Sequence, residues 1–423
     1  SAMDDGARAF GARVRWAYGD PRANIIIDDA KSHFSAQQSR YDIIISEPSN
    51  PWISGVGSLF TKEFYKKIPK HLNSDGIFVQ WIHLYEINEQ IVGSIVNALI
   101  PEFEDYAIWL TNYSDILIVA KAKGRLQEPD LQRITSNSLK ADLARLGIHT
   151  QEHLKFHKMA DARMIRGIGR LYDELPVNSD YLPVLSLYAP KARFKQSNAQ
   201  SIRVLTDKGP PLLEALGIRN PLPESERLSK QRIFMPEINT RLALALISEF
   251  KGEEVDEFAT KEFAADILAL PVLLKNSAPR CNRPWPHSQR KLFAQYLRTL
   301  ADQTITFLPP SMVQGVWIKP TWLTCPTQLP AEYAKALALI ESLASRDYVT
   351  MAKLGKDWLE APPADTPLRQ EFNQVALSHM LLSTVRQQDW RGLLEVENRY
   401  GQEVESGGIY MIQRTLLKAM ADE

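Results

Sequence analysis

Short runs of β-branched residues alternate with amphipathic stretches over the first 125 residues of the chain. This alternation is typical of a parallel sheet whose strands are joined by crossover helices. The pattern predicts buried strands at residues 25–27, 41–45 and 76–82. Two further runs, at residues 105–109 and 115–120, predict an antiparallel hairpin at the edge of the sheet.

The segments between these runs have the spacing of amphipathic helices. Helices are predicted at residues 31–38, 61–72 and 89–98, and Thr61 is a suitable N-cap for the second of them. Pro69 is expected to disturb the last turn of that helix. The first part of the chain is therefore predicted to have an α/β fold.

From about residue 131 onward the pattern is mainly helical. Residues 131–172 are predicted to be helical, and a composition shift near Ser197 leads into a linker rich in Gly and Pro. Pro271 is expected to end one of the helices beyond the linker, and the stretch 276–330 is rich in Pro and Trp. Three helices are predicted beyond the linker, at residues 237–250, 255–270 and 289–300.

Residues 331–423 have the pattern of helical hairpins. Two helices are predicted to begin at Asp347 and Asp389, in similar local sequences. These two positions are 42 residues apart (389 − 347), and Trp358 and Tyr400 are separated by the same offset. This spacing fits paired-helix repeats of the tetratricopeptide type, whose stacked faces bind partners. A plain helical bundle fits equally well.

Polar residues follow three of the predicted strands, at residues 28–30, 46–52 and 80–83. In open parallel sheets ligands bind beyond the carboxyl ends of the strands, so these ends are the first places to look for chemistry. A helix N-cap accounts equally well for Asp28 and Asp29.

The loop after the second predicted strand has a stiff backbone because Pro48 and Pro51 flank Ser49 and Asn50. Turn formation alone is one interpretation of this loop. A loop that holds polar side chains rigidly at the sheet edge suits a substrate better than solvent. We therefore favour a substrate-facing role for Glu47 and Asn50.

Residues 41–52, with the sequence YDIIISEPSNPW, are followed by SLFT at 58–61 and EFY at 63–65. This run resembles the spermidine/spermine synthase family, and in particular its bacterial members that are often fused to membrane segments. Asp29 before Ala30 and the segment 178–185 resemble two further parts of that family. The resemblance covers about residues 10 to 190.

The resemblance implies a partial Rossmann-like sheet, of the S-adenosylmethionine-dependent methyltransferase type, followed by an all-α C-terminal half. The expected divisions are a spermidine-synthase-like domain that lacks its first strands, a helical Pro- and Trp-rich region, and a paired-helix region. They span residues 1–192, 193–330 and 331–423. The implied reaction transfers an aminopropyl group from decarboxylated S-adenosylmethionine to an amine.

The same resemblance implies roles for individual residues. An amine with a pKa of about 10 must lose a proton before it attacks. Glu47 matches the proton-accepting Asp of the family and Asn50 the second Asp of the loop, so these two are the expected catalytic residues. The residues expected to contact the donor are Asp28, Asp29, Ala30 and Pro48. Those expected to contact the amine are Trp52, Gln80, Tyr85 and Asp180, and no metal is expected.

Both catalytic positions depart from the family. Glu47 places its carboxylate one methylene further out than Asp, and Asn50 lacks a charge that would pair with an ammonium group. The Pro-rich loop also resembles the Asn-Pro-Pro-aromatic loop of amino methyltransferases, so methyl transfer from S-adenosylmethionine is a rival function. A noncatalytic scaffold that binds a partner protein through its helices is another.

The family's cofactor-binding turn is not evident in this sequence. Gly6 and Gly11 lie in a helix-like segment rather than between a strand and a helix. We expect the chain to lack the glycine-rich loop and not to bind S-adenosyl compounds tightly by itself. We also expect a cytoplasmic location, a longer parent anchored at the inner membrane, a polyamine-like substrate, and a homo-oligomer or a protein partner.

Composition and charge add three expectations. Lys plus Arg and Asp plus Glu are both 50, which argues against a nucleic-acid-binding surface over the whole molecule. Cys281 and Cys325 are expected to be free thiols of a reducing compartment. His149, His153 and His157 have helical spacing, and a packed or solvated helix face is favoured over a metal site.

An unpaired sheet edge is the last expectation. If the first strands are missing, the strand at 25–27 or at 41–45 has an apolar edge that favours aggregation. We expect this edge to pair with another copy of the chain, with the N-terminal segment, or with a helix.

Overall fold

The computed structural model describes residues 2–206, 209–223, 228, 234–362 and 367–422. Its strands lie before residue 161, and the rest of the described chain is helical apart from connecting segments. No helix in these residues is long and apolar enough to cross a membrane. The α/β fold followed by a helical half is confirmed.

The described strands form one sheet. They are β1 (Tyr41–Ser46), β2 (Leu72–His83), β3 (Asp105–Leu110), β4 (Asp115–Lys121) and β5 (Lys158–Ala160). Their order in the sheet is β1-β2-β4-β3-β5. The predicted hairpin is confirmed, because β3 and β4 pair antiparallel from Asp105–Lys121 to Leu110–Ile116.

The sheet is mixed rather than mainly parallel. Only β1 and β2 run parallel, whereas β2–β4, β3–β4 and β3–β5 are antiparallel. The expected strand at residues 25–27 is wrong: this segment has no regular structure, and Ile25, Ile26 and Ile27 are 45%, 53% and 65% exposed. A strand forms only where another strand satisfies its backbone groups, and none of the described residues pairs with this one.

The outer edge of β1 is uncovered. Within the described residues β1 pairs only with β2, and Ile43 and Ile45 are 56% and 66% exposed. The expectation that the N-terminal segment or a helix covers this edge is wrong for the described chain. Pairing with another copy stays a prediction.

Eleven helices precede residue 216 in the described chain. They are α1 (Ala2–Arg8), α2 (Arg15–Gly19), α3 (Ala30–Ala36), α4 (Lys62–Lys67), α5 (Glu89–Leu99), α6 (Asn137–Arg145), α7 (Gln151–Phe156), α8 (Ala162–Leu171), α9 (Val184–Phe194), α10 (Gln200–Arg203) and α11 (Leu212–Ala215).

Ten further helices follow in the described residues. They are α12 (Met235–Lys251), α13 (Glu257–Glu262), α14 (Ala265–Leu268), α15 (Leu270–Ser277), α16 (His287–Thr304), α17 (Ala331–Ala344), α18 (Tyr348–Leu359), α19 (Pro367–Arg386), α20 (Trp390–Tyr400) and α21 (Gly408–Ala421).

Local signals explain where several helices begin and end. Thr61 caps α4 by accepting a hydrogen bond from the Phe64 amide, and a 3₁₀ turn containing Pro69 follows. The single helix predicted at 255–270 is wrong, because this stretch forms α13, α14 and the start of α15. Pro271 lies in the first turn of α15, where a missing amide hydrogen costs no helical hydrogen bond.

One face of the sheet packs against helices of the N-terminal part. The Phe78 ring lies 5.9 Å from the Tyr65 ring of α4, and Arg166 of α8 donates a hydrogen bond to the Tyr106 hydroxyl. The last helix returns to this layer, because Arg170 of α8 donates to the Ala419 carbonyl of α21 at 3.0 Å. Both halves therefore share one hydrophobic core.

The helices α18 and α20 start in the same way. Asp347 accepts a hydrogen bond from the Thr350 amide, and Asp389 accepts one from the Gly392 amide. The residues before them, Arg346 and Gln388, have φ values of 59° and 57°. The two predicted helix starts are confirmed, whereas membership of a repeat family stays a prediction.

The expectation of free thiols is wrong. Cys281 and Cys325 form a disulfide, with Cα atoms 5.5 Å apart. The two residues are 44 positions apart in the sequence, so only the packing of the Pro- and Trp-rich stretch brings them together. The disulfide ties the segment after α15 to the segment before α17.

Candidate active site at the carboxyl ends of two parallel strands

The carboxyl ends of β1 and β2 lie side by side. The two strands are in parallel register, with Ser46 opposite Gln80, so the residues that follow each strand meet at one edge of the sheet. This edge is where an open parallel sheet places its ligand. The structure therefore brings together two of the three polar strand ends identified in the sequence.

Glu47 extends from the end of β1 into solvent. Its side chain is exposed and makes no hydrogen bond or ion pair with any of the described residues. The loop behind it is held by Pro51, which is buried, and by a turn in which the Ile53 amide donates to the Asn50 carbonyl at 3.0 Å. The carboxylate is therefore available to a ligand while its backbone is anchored.

A group of aromatic rings lies next to this loop. The Trp52 ring is 4.9 Å from the His83 ring and 6.5 Å from the Tyr85 ring, and the Trp81 ring is 5.3 Å from His83. The Arg193 guanidinium of α9 lies 4.9 Å from the centre of the Trp52 ring. Two strand ends and one distant helix thus form a single cluster.

His83 is the most enclosed member of this cluster. It is 1% exposed, and its Nε2 atom has no hydrogen-bond partner in the described part of the chain. Burial lowers the pKa of His83 from 6.5 to about 4, so the ring is neutral at physiological pH. Burial, followed by the charges of Asp115 and Glu86, raises the pKa of Tyr85. The His83 and Tyr85 side chains are therefore both neutral at physiological pH.

Gln80 is not exposed to the site. Its side chain is 0% exposed, donates to the Ser46 and Trp81 carbonyls, and accepts from the Tyr65 hydroxyl. It therefore braces β2 against β1 and α4. A direct contact of Gln80 with substrate stays a prediction.

Residues 28–30, which were predicted to follow a strand, instead begin a helix. Asp29 is the N-cap of α3, and its hydrogen bond from the Ser32 amide lowers its pKa. The Asp28 side chain accepts from the Asp29 amide, and Ala30 begins the helix. Asp28 and Asp29 are exposed, so their contact with a donor substrate stays a prediction.

Asp180 joins three segments near the site. It accepts from Lys31 of α3 at 2.5 Å and from Thr61 at 2.9 Å, while its own amide donates to Glu63. Burial opposes ionisation, yet these hydrogen bonds lower the pKa of Asp180. Its partners give Asp180 a structural role, and its contact with substrate stays a prediction.

Three residues of the cluster, Trp81, His83 and Arg193, were not selected from the sequence. His83 lies at the polar end of a predicted strand, which the sequence shows. Its importance in the cluster follows from its burial, which only the structure shows. Arg193 is far from Trp52 along the chain and carried no signal. No group of three or more His, Cys, Asp or Glu side chains suited to a metal occurs in the part of the chain described.

Comparisons with known proteins agree with this geometry. Residues 5–120 match the spermine/spermidine synthase domain. A polyamine aminopropyltransferase of Pectobacterium carotovorum is 30% identical over 136 residues, which are 31% of this chain and 46% of that protein. One from Yersinia pestis is also 30% identical over 136 residues, or 45% of its length.

The chain spans less than half the length of these curated relatives. The match ends near the last residue of β4, so it covers the first four strands and the loop after β1 but neither β5 nor the helical half. The N-terminal part of the chain is therefore spermidine-synthase-like, which confirms the family resemblance.

Proposed function

We propose that the N-terminal domain provides the acceptor side of an aminopropyltransferase site, with Glu47 as the proton acceptor. The observation that carries the proposal is an exposed carboxylate, without a partner among the described residues, at the carboxyl end of β1 on an anchored loop. The similarity of this segment to polyamine aminopropyltransferases supports the same assignment.

The proposed reaction uses decarboxylated S-adenosylmethionine as the donor substrate. Glu47 accepts a proton from the ammonium group of an amine, which frees the nitrogen lone pair. The nitrogen then bonds to the aminopropyl carbon next to the sulfonium, and the carbon–sulfur bond breaks with its electrons going to sulfur. The products are an extended amine and methylthioadenosine.

The aromatic cluster is suited to hold the amine. A cation gains energy over the face of a Trp or Tyr ring, and Trp52 and Tyr85 lie beside the loop that carries Glu47. His83 is neutral, so it does not repel an ammonium group. Arg193 already lies over Trp52 and must move aside, or else orient an acceptor that also carries a negative group.

The test is an assay of the protein encoded by the full natural reading frame. It is incubated with decarboxylated S-adenosylmethionine and a series of diamines and polyamines, and methylthioadenosine is measured by mass spectrometry. Loss of a general base lowers rates about 10²- to 10⁴-fold, so Glu47→Gln is expected to fall in that range. Glu253→Gln, an exposed carboxylate in the helical half, is the matched control.

The rival functions give different products. Methyl transfer would produce S-adenosylhomocysteine from S-adenosylmethionine, and a scaffold would turn over neither donor. Absence of methylthioadenosine with every amine, or an unchanged rate for Glu47→Gln, contradicts the proposal.

A further inference from the structure

Helix α9 places a charged side chain beside the loop that carries Trp52. The helix is fixed to this loop by Asn178, whose side chain donates to the Gly57 carbonyl and accepts from the Leu185 amide of α9. Arg193 lies in the last turn of the same helix. The backbone of Arg193 is therefore held in place, and its side chain is the part that can respond to a ligand.

The Arg193 guanidinium lies between one ring and one carboxylate. Its central carbon is 4.9 Å from the centre of the Trp52 ring, and its Nε is 3.6 Å from Oε2 of Glu86. The side chain is 56% exposed and makes no hydrogen bond with any residue that the structure describes. A guanidinium that lies over a ring keeps its N–H groups at its edge. The two terminal nitrogens of Arg193 are therefore accessible donors.

Glu86 orients Arg193 without neutralising it fully. Their separation of 3.6 Å is longer than a hydrogen bond, and the Glu86 side chain is 36% exposed. Ion pairs this exposed contribute little, because water screens both charges. Glu86 has a left-handed backbone with a φ of 54°, and its amide donates to the Asn198 side chain at 3.4 Å. These features fix Glu86 in the turn after β2.

The end of α9 carries an excess of positive charge. Lys191, Arg193 and Lys195 occupy alternate positions there, and all three are exposed. Among the described residues, Glu86 is the only carboxylate paired with any of them. A simple diamine would place its second ammonium group against this excess, and like charges repel. A negatively charged group would be attracted instead.

Glu47 supplies the opposite charge at the same edge of the sheet. It follows β1 and has no partner in the described chain, whereas the Trp52 ring beneath Arg193 contacts His83 at the end of β2. Asn50, in the loop that Glu47 begins, offers an uncharged amide. The edge thus presents one carboxylate for an ammonium group and one guanidinium for an anion. This arrangement complements a substrate that carries both charges.

We propose that Arg193 binds a carboxylate of the acceptor, and that the preferred acceptor is a diamino acid rather than a simple diamine. The inference rests on the proposed transferase function and specifies its substrate class. A carboxylate accepts two parallel N–H hydrogen bonds from a guanidinium, which an ammonium group cannot do. An amine of the same substrate gives its proton to Glu47, bonds to the aminopropyl carbon and displaces the sulfur. Arg193 orients the acceptor and exchanges no proton.

Two pairs of acceptors isolate the effect of the carboxylate, because ornithine and lysine differ from putrescine and cadaverine only by that group. The protein encoded by the full natural reading frame is assayed with decarboxylated S-adenosylmethionine, and methylthioadenosine is measured for each acceptor. Hydrogen bonds between charged groups are the stronger kind, so we expect kcat/KM for each amino acid to exceed that of its diamine by about tenfold or more.

Variants of Arg193 test whether this side chain causes the preference. Arg193→Gln removes the charge and is expected to abolish the preference, mainly through a higher KM for ornithine with little change in kcat. Arg193→Lys keeps the charge without the planar fork and should retain part of the preference. Lys195→Gln makes the same charge change at a nearby exposed position, and this matched control should keep the preference. An unchanged preference in Arg193→Gln overturns the inference.

Calorimetric titration with ornithine and putrescine separates this inference from the proposed function, since binding needs no turnover. Methylthioadenosine formed at least as fast with the diamines as with the amino acids would keep the transferase and overturn the carboxylate site. No methylthioadenosine from any acceptor, together with ornithine binding that Arg193→Gln weakens, would reject the transferase and keep the carboxylate site. Absence of both product and Arg193-dependent binding overturns both proposals.

Discussion

Strand β1 and helix α18 are both short apolar elements, yet the chain buries them very differently. In β1 only one face is covered, because Ile44 is 7% exposed whereas Ile43 and Ile45 are 56% and 66% exposed. In α18, Met351 and Trp358 are 0% and 1% exposed. The difference lies in where each element's partners are in the sequence.

A helix satisfies its own backbone, so α18 needs only a neighbour for its apolar face. That neighbour is α19, which follows in the sequence, and the Trp358 ring lies 6.0 Å from Phe372 and donates to Asn373. A strand can pair only with other strands, and β1 has a partner on only one of its two edges within the described residues. Local sequence completes the helical pair but cannot complete the sheet.

The largest effect expected from this comparison is on stability. Trp358→Ala removes a fully buried ring and is expected to lower the free energy of unfolding by about 4 kcal/mol. Ile45→Ala, at the exposed edge, is expected to change it by less than about 0.5 kcal/mol. Urea denaturation followed by circular dichroism measures both. Similar losses for the two variants would mean that the β1 edge is covered in solution.

The same contrast explains what the sequence could predict about the fold. The starts of α18 and α20 were predictable because Asp347 and Asp389 act within their own helical turns. The state of residues 25–27 was not, because an apolar run becomes a strand only if a distant partner is present. The Cys281–Cys325 disulfide was hidden for the same reason.

The candidate site, like the fold, could be predicted only in part from the sequence. Trp52 and Tyr85 were predicted to share a site, and the structure brings their rings within 6.5 Å of each other. Gln80 was predicted beside them but is enclosed by Tyr65 and by main-chain carbonyls. The enclosure of Gln80 could have been predicted from the alternation of side chains along β2, since neighbouring residues of a strand face opposite sides of a sheet.

The next effect concerns a polar residue in the well-buried half. His379 of α19 is 0% exposed, and neither ring nitrogen has a hydrogen-bond partner in the described residues. Burial lowers its pKa from 6.5 to about 3. The unfolded chain therefore binds a proton first, so this residue's contribution to stability is complete above pH 6.5 and is lost as the pH falls toward 3.

Replacing His379 removes this pH dependence. At pH 5 the buried histidine is expected to lower the free energy of unfolding by about 2 kcal/mol relative to pH 8, and His379→Leu should not show that loss. His83 and His157 titrate in both proteins, so the difference isolates His379. The exposed His287→Leu is the control. Equal acid sensitivity of the two variants would show that His379 has a partner in solution.

The smallest expected effect on stability, but a clear one on association, comes from charging the edge. Ile43→Lys with Ile45→Lys places two charges on side chains that are already exposed, so the free energy of unfolding should change by less than about 1 kcal/mol. If β1 pairs with another copy, these charges oppose each other across the interface, because lysines at an edge strand disfavour edge-to-edge pairing. Light scattering should then show a self-associating unmodified chain and a monomeric double variant.

Hydrogen exchange adds an independent measurement, since a paired β1 protects its outward amides and an unpaired one does not. A monomeric unmodified chain with freely exchanging β1 amides would instead mean that the chain tolerates an open apolar edge.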